Sequence, residues 1–167
     1  MSILDFPIIS RIRRNHGLEH ASLTILSGRK PAIPMTGISY PGGFLIAGNV
    51  EIDALQDAIQ QALDRMRNGE HQLAVHPNCG TNMTTSGILA GIMAWLGMIG
   101  AKDQRERRSR LPLVISLVTL SLIYSRPLGP LIQERITTSG NPEGLQIMEI
   151  IPSRLGNLSI HRVVTSG

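Results

Sequence analysis

The stretch "NHGLEHASLTIL", residues 15–26, sets His16, Glu19 and His20 within five positions of an otherwise aliphatic run. Two histidines four apart on a helix project side by side, so their imidazoles can share one tetrahedral cation. A glutamate on the same face can take a proton from water activated by that cation. This is the division of labour in the H-E-x-x-H and inverted H-x-x-E-H metallopeptidase motifs. "HGLEH" is a literal H-x-x-E-H. The pattern fixes only three letters, and an ordinary hydrogen-bonded histidine pair within a helix satisfies it equally.

A second block, "HPNCGT", changes the balance. His76 and Cys79 stand three apart across Pro77, a spacing that lets both bind one metal, and imidazole with thiolate is a zinc-like ligand set. Four of the six His and Cys residues thus fall into two compact elements. The reading is zinc, or another divalent transition metal, held by His16, His20 and at least one of His76 and Cys79, with Glu19 as the catalytic group. The lone Cys79 cannot form an internal disulfide, and its plain alternative is a small buried residue behind a glycine turn. His71 and His161 have no such company and read as surface or strand residues.

These side chains need a frame. Residues 8–27 are predicted as a helix ended by Gly28 and Pro31. At about 100° per residue, Ile9, Ile12, Glu19, His20 and Leu23 lie within about 60° of His16, while Arg11 and Arg14 point away. The polar trio sits inside the face that should pack inward, where unpaired imidazoles are costly. The Pro- and Gly-rich "PAIPMTGISYPGGFLIAGN" reads as a strand pair, with runs at Ile38–Tyr40 and Phe44–Ala47 turned at Pro41-Gly42-Gly43. Ile52, Leu55, Ile59, Leu63 and Met66 predict a helix over 51–66, capped by Asn49 and ended by Asn68-Gly69. "HQLAV" reads as a short strand leading into the second block, and "LQIMEIIP" and "LSIHRVVT" alternate as C-terminal strands.

From Gln72 to Ala101 there is no Asp, Glu, Lys or Arg, and "TTSGILAGIMAWLGMIGA" is apolar and spaced by small residues, as helices packed in lipid often are. After the basic loop "KDQRERRSR" a second apolar stretch begins at Leu111. Taken to Ser125 it is about 22 Å of helix, short of a roughly 30 Å hydrocarbon core; taken to Gln133 it spans easily, with Arg126 snorkelling. The expected architecture is therefore α+β, a small mixed helix/sheet domain with an inserted two-helix transmembrane hairpin. Residues 1–82 form an N-terminal α+β part carrying the metal-site motifs, 83–133 the membrane hairpin, and 134–167 strands that complete the sheet. The lipid bilayer is the expected partner. The alternative is a buried helical hairpin in a soluble homo-oligomer.

The chain has 167 residues, a net charge of +4 and a sequence pI of about 10.0. Aromatic residues make up only 3%, which excludes the stacking surfaces of single-strand nucleic-acid binders, and no nucleic-acid partner is expected. "MSILDFPIISRIRR" lacks a basic start, a continuous apolar region and a small-residue cleavage site, so no removed signal peptide is expected. Lys102, Arg105, Arg107, Arg108 and Arg110 favour a cytoplasmic loop, which would put the histidine site outside. Arg65, Arg67 and the lack of a signal peptide oppose that, and the expectation is a cytoplasmic site.

"HGLEHA" and "HPNCGTN", followed at once by a Gly-rich apolar helix, resemble a bacterial family of unassigned function. They are also similar to the YqhQ-like proteins, predicted metal-dependent membrane enzymes with an H-G-x-E-H block and an H-P-x-C-G-T block before a membrane helix. "PLIQERITTSGNPEGLQIMEI" resembles their Leu-Gln, Thr-Thr, Pro and Glu-Val pattern, and the likeness runs from residue 13 to about 150. It implies a bacterial cytoplasmic-membrane protein with metal-dependent activity and leaves the reaction open.

Two functions follow. In the first, a membrane-bound, peptidase-like metallohydrolase, three protein ligands leave an open position for water that Glu19 deprotonates. In the second, a non-enzymatic scaffold or assembly protein, His16, His20, His76 and Cys79 close a structural zinc site.

Overall fold

The computed structural model describes residues 2–29 and 33–167; Pro31, the expected second helix stop, lies outside the described residues. The chain divides into two compact units, Met1–His76 with Gln133–Gly167, and Pro77–Ile132.

In the first unit, helix α1 (Pro7–Ser27) opens with Pro at its first position, where the missing N–H costs nothing and the fixed φ suits the helix. Strands β1 (Thr36–Tyr40) and β2 (Gly43–Ala47) form the expected hairpin. Helix α2 (Ile52–Arg67) follows, ending at Asn68 with Gly69 at φ +96°. Strands β3 (Gln146–Leu155) and β4 (Leu158–Ser166) join β1 and β2 in one antiparallel sheet of order β1-β2-β4-β3. Leu18 and Ala21 of α1, Leu55, Ile59, Leu63 and Met66 of α2, and Phe44, Ile46 and Val163 of the sheet make the core. Four of the five periodic residues of α2 are thus buried, each contributing about 2–5 kcal/mol against truncation to Ala, while Ile52 is exposed.

Four local expectations are corrected. "HQLAV" is not a strand: His71–Ala74 is a 3-10 turn, because Gly69 reverses the chain and the Arg65–Glu70 ion pair ties it back to α2. Asn49 does not cap α2; the cap residue is Glu51, and Asn49 Oδ1 accepts the Ser159 N–H at 3.1 Å. Arg14 does not point to solvent: it is buried, donating to the Ser10 carbonyl and pairing with Glu143 at 3.1 Å. Every residue from Gly17 to Leu23 is buried, so α1 is enclosed on all sides rather than on one face.

In the second unit, α3 (Gly80–Met98) and α4 (Gln104–Ile132) pack against each other, and a short π-helical turn, Gln133–Thr137, follows in the chain. Most of the expected basic loop is helical. Asp103 accepts the Glu106 N–H and Glu106 accepts the Lys102 N–H, both at 2.8 Å, so α4 starts before its arginines. The α3–α4 seam is small and polar: Thr85, Gly97, Ser121, Ser125 and Gly129 are buried, and the Ser86 and Ser125 hydroxyls meet at 2.7 Å. A Cβ at Gly97 would come within 2.8 Å of Val114 Cγ2. Ile88, Trp95, Leu113, Ile115 and Ile123 are exposed.

Among the described residues one helix is long and apolar enough to cross a membrane: Gln104–Thr137, 34 residues, in which an 18-residue window has mean hydropathy 1.6 and is only 11% buried. One span of the two expected is therefore supported by length and composition. The first turns of α3 carry Thr81, Asn82, Thr84, Thr85 and Ser86, which dilute its apolar content.

Candidate metal centre

Helix α1 carries His16 and His20 one turn apart, with ring centroids 4.3 Å apart and planes inclined by 62°. Their ligand nitrogens lie within 4.8 Å of each other. His20 is buried and His16 half-buried. Each ring is held by a backbone carbonyl: His16 Nδ1 faces the Thr137 oxygen at 3.0 Å, and His20 Nδ1 faces the Ala74 oxygen at 2.7 Å. A carbonyl can only accept, so in both rings Nδ1 carries a proton, and in the neutral ring Nε2 is then the ligand atom. That is the tautomer in which metal-bound histidines are normally fixed.

Gly17 explains the letter between the two histidines. A Cβ there would overlap the Ser139 carbonyl oxygen and lie 3.2 Å from the Ala74 Cβ. Only glycine lets the segments bearing Ala74 and Thr137, the two histidine anchors, approach α1 this closely. Ser139 completes the arrangement by donating its N–H to the Arg13 carbonyl at 2.9 Å.

The His76 ring lies 5.7 Å from that of His20, inclined by 42°. Its backbone is clamped by Gln133, which is fully buried: the His76 N–H donates to Gln133 Oε1 at 2.9 Å, and Gln133 Nε2 donates to the His76 carbonyl at 3.1 Å. The His76 ring thus neighbours that of His20, while the ligand nitrogens shown within 4.8 Å of each other are those of His16 and His20. Cys79 belongs to the second unit, where it is buried and caps α3, with Sγ accepting the Thr81 N–H at 3.3 Å.

Glu19 is 3% exposed, and its Oε2 accepts the Ser39 hydroxyl at 2.5 Å. It packs tightly on Gly37 of β1, where a Cβ would overlap its carboxylate. Sequence reasoning missed Gln133, Thr137 and Ser39. Thr137 stands in the Thr-Thr letters of the C-terminal resemblance, the one signal that pointed to it. His71 is exposed and His161 lies on a strand, both within the expectation; His161 is in addition buried, on the inner strand β4.

No solved structure matches the chain. An uncharacterized protein of Picosynechococcus sp. is 37% identical over 98 residues, covering 51% of this chain and 48% of that protein, so the chain spans about half the length of this relative. The family described as "Domain of unknown function (DUF6391)" matches residues 11–150, from α1 through the last helix and into β3, and the chain belongs to that family.

Proposed function

We propose that the chain is a membrane-bound, zinc-dependent hydrolase whose H-x-x-E-H helix and H-P-x-C block hold one divalent transition-metal ion. The observation that carries this reading is the pair of Nδ1–H to carbonyl bonds at His16 and His20, one turn apart on α1, which in neutral rings makes Nε2 the ligand atom of each. His76 would supply a third nitrogen. Cys79 follows His76 by three residues, so the chain itself keeps the thiol within about 10 Å of it. When bound, such an ion polarises water or a carbonyl group. Glu19 would accept the proton of the attacking water, with Ser39 orienting its carboxylate. The likeness of both blocks to the YqhQ-like proteins supports the same reading.

The helical pair 77–132 is read as a membrane hairpin in the bacterial cytoplasmic membrane. Its seam is small and polar while its outer surface carries Trp95, Ile115 and Ile123, the reverse of a helix pair facing water. The cytoplasmic side is proposed for the histidine site on Arg65 and Arg67, against the pull of the basic turn at 102–110.

A second reading has its own support. Glu19 is already engaged by Ser39, and four donors suffice to close a tetrahedral site, so the ion could instead be a structural clamp in a scaffold or assembly protein. X-ray absorption on the zinc-loaded chain separates the two. The hydrolase reading expects three protein ligands and one exchangeable oxygen near 2.0 Å. A closed His3Cys shell, with sulfur near 2.3 Å that vanishes in Cys79→Ala, overturns catalysis in favour of the clamp.

A further inference from the structure

His161 is 4% exposed, and both of its ring nitrogens are buried without a hydrogen-bond partner among the described residues. On β4 it stands in register with Ile46 of β2 and Pro152 of β3, on the face that includes the core residue Val163. Burying an unpaired polar group costs about 1–3 kcal/mol, and folded proteins rarely tolerate it without a bound partner.

His161 lines a cleft of about 690 Å³, enclosed by Asn49–Ile52 on one side and by the end of the β3–β4 hairpin on the other. The amino end of α2 opens into this cleft. Its cap residue, Glu51, makes no side-chain cap bond, which leaves the first-turn amides available to a ligand. Arg154, at the lip, is exposed and makes no ion pair among the described residues. Asn157 and Ser159 add further polar groups.

The cleft is lined by a helix end, a strand and a turn, a spread of polar groups that suits a tetrahedral oxyanion better than a planar carboxylate. Glu51 at the rim and Asp53 in the first turn oppose a ligand of high charge and favour a single phosphate group. We propose that this cleft binds a phosphate-type oxyanion, with His161 and Arg154 as side-chain donors and the first turn of α2 as the backbone donor. The site makes no use of the His16–His20 pair and stands or falls separately from the metal.

The full-length chain, labelled with ¹⁵N-histidine and held in neutral detergent micelles, is titrated with inorganic phosphate and, in parallel, with acetate. The ring nitrogens of His161 should shift saturably with phosphate while those of His16 and His20 stay in place. Arg154→Ala should weaken binding by about tenfold or more, and since Arg154 is exposed this variant folds. His161→Gln should abolish binding or reduce it similarly. No saturable His161 response at millimolar phosphate overturns the site. So does a response confined to His16 and His20, an equal response to acetate, or unchanged binding in Arg154→Ala. Nanodiscs with and without phosphatidic acid then identify the source: a His161 shift without added phosphate assigns a lipid headgroup, and its absence assigns a soluble phosphate ester.

Discussion

Gly17→Ala tests whether the H-G-x-E-H block is built around close backbone approach. The new methyl would overlap the Ser139 carbonyl oxygen, which must retreat by about 1 Å, and would press on Ala74 Cβ at 3.2 Å. Overpacking of this kind costs about 1–3 kcal/mol, offset by at most about 1 kcal/mol of helix propensity gained on replacing glycine. The retreat also strains the Thr137 and Ala74 carbonyls that hold the two imidazoles, each bond worth about 0.5–1.5 kcal/mol. A net loss of about 1–3 kcal/mol follows, or a fall of several degrees in Tm at about 4–8 °C per kcal/mol for a unit of this size. Because the rings lose their orientation, zinc affinity should fall about 10- to 100-fold. Thermal unfolding followed by near-UV circular dichroism, with zinc competition against a chromogenic chelator, reads both. A variant with unchanged Tm and unchanged zinc affinity would refute the reasoning.

Four further outcomes are expected. Gln133→Ala should leave the His76 N–H and carbonyl without their clamp, costing about 1–3 kcal/mol and lowering zinc affinity, read by the same two assays. Glu19→Gln should keep metal and fold but abolish turnover on any peptide or ester substrate found in a panel; unchanged turnover would eliminate the general-base role. Gly97→Leu should force α3 and α4 apart at Val114, and the chain should lose its resistance to detergent-induced unfolding; recovery of the wild-type chain in the soluble fraction as an oligomer would contradict the membrane hairpin. The Arg65 hydrogen bond holds the Glu70 carboxyl below its ordinary value of 4.5, so the pair's contribution is complete above that pH and fades as pH falls through the lowered value. Both side chains are well exposed, so Glu70→Gln should flatten the acid limb of the stability curve only slightly.

What the sequence made legible follows from range. The α2 spacing, the Pro41-Gly42 turn and the alternating C-terminal strands are local patterns, and each residue's neighbours in sequence dictate them. The histidine pair was readable for the same reason, since four residues on one helix fix its separation. Residues that orient those rings act across the chain: Gln133 reaches His76 over 57 positions, and Thr137 reaches His16 over 121. No local pattern encodes such contacts. The burial of His161 was invisible for a related reason, because a strand's inward face depends on which strands flank it. Arg14 misled because its charge implied solvent, whereas Glu143, far along the chain, supplies the partner that permits burial.

The central claim is that His16 and His20 hold a metal, and elemental analysis of the purified full-length chain tests it most directly. After expression in zinc-supplemented medium and exhaustive dialysis, the account predicts about one zinc-like ion per chain, lost in His16→Ala and in His20→Ala. Far-UV circular dichroism of each variant distinguishes loss of the ligand from loss of the fold. A folded wild-type chain carrying no metal, or a His16→Ala variant that retains the full complement, would contradict it.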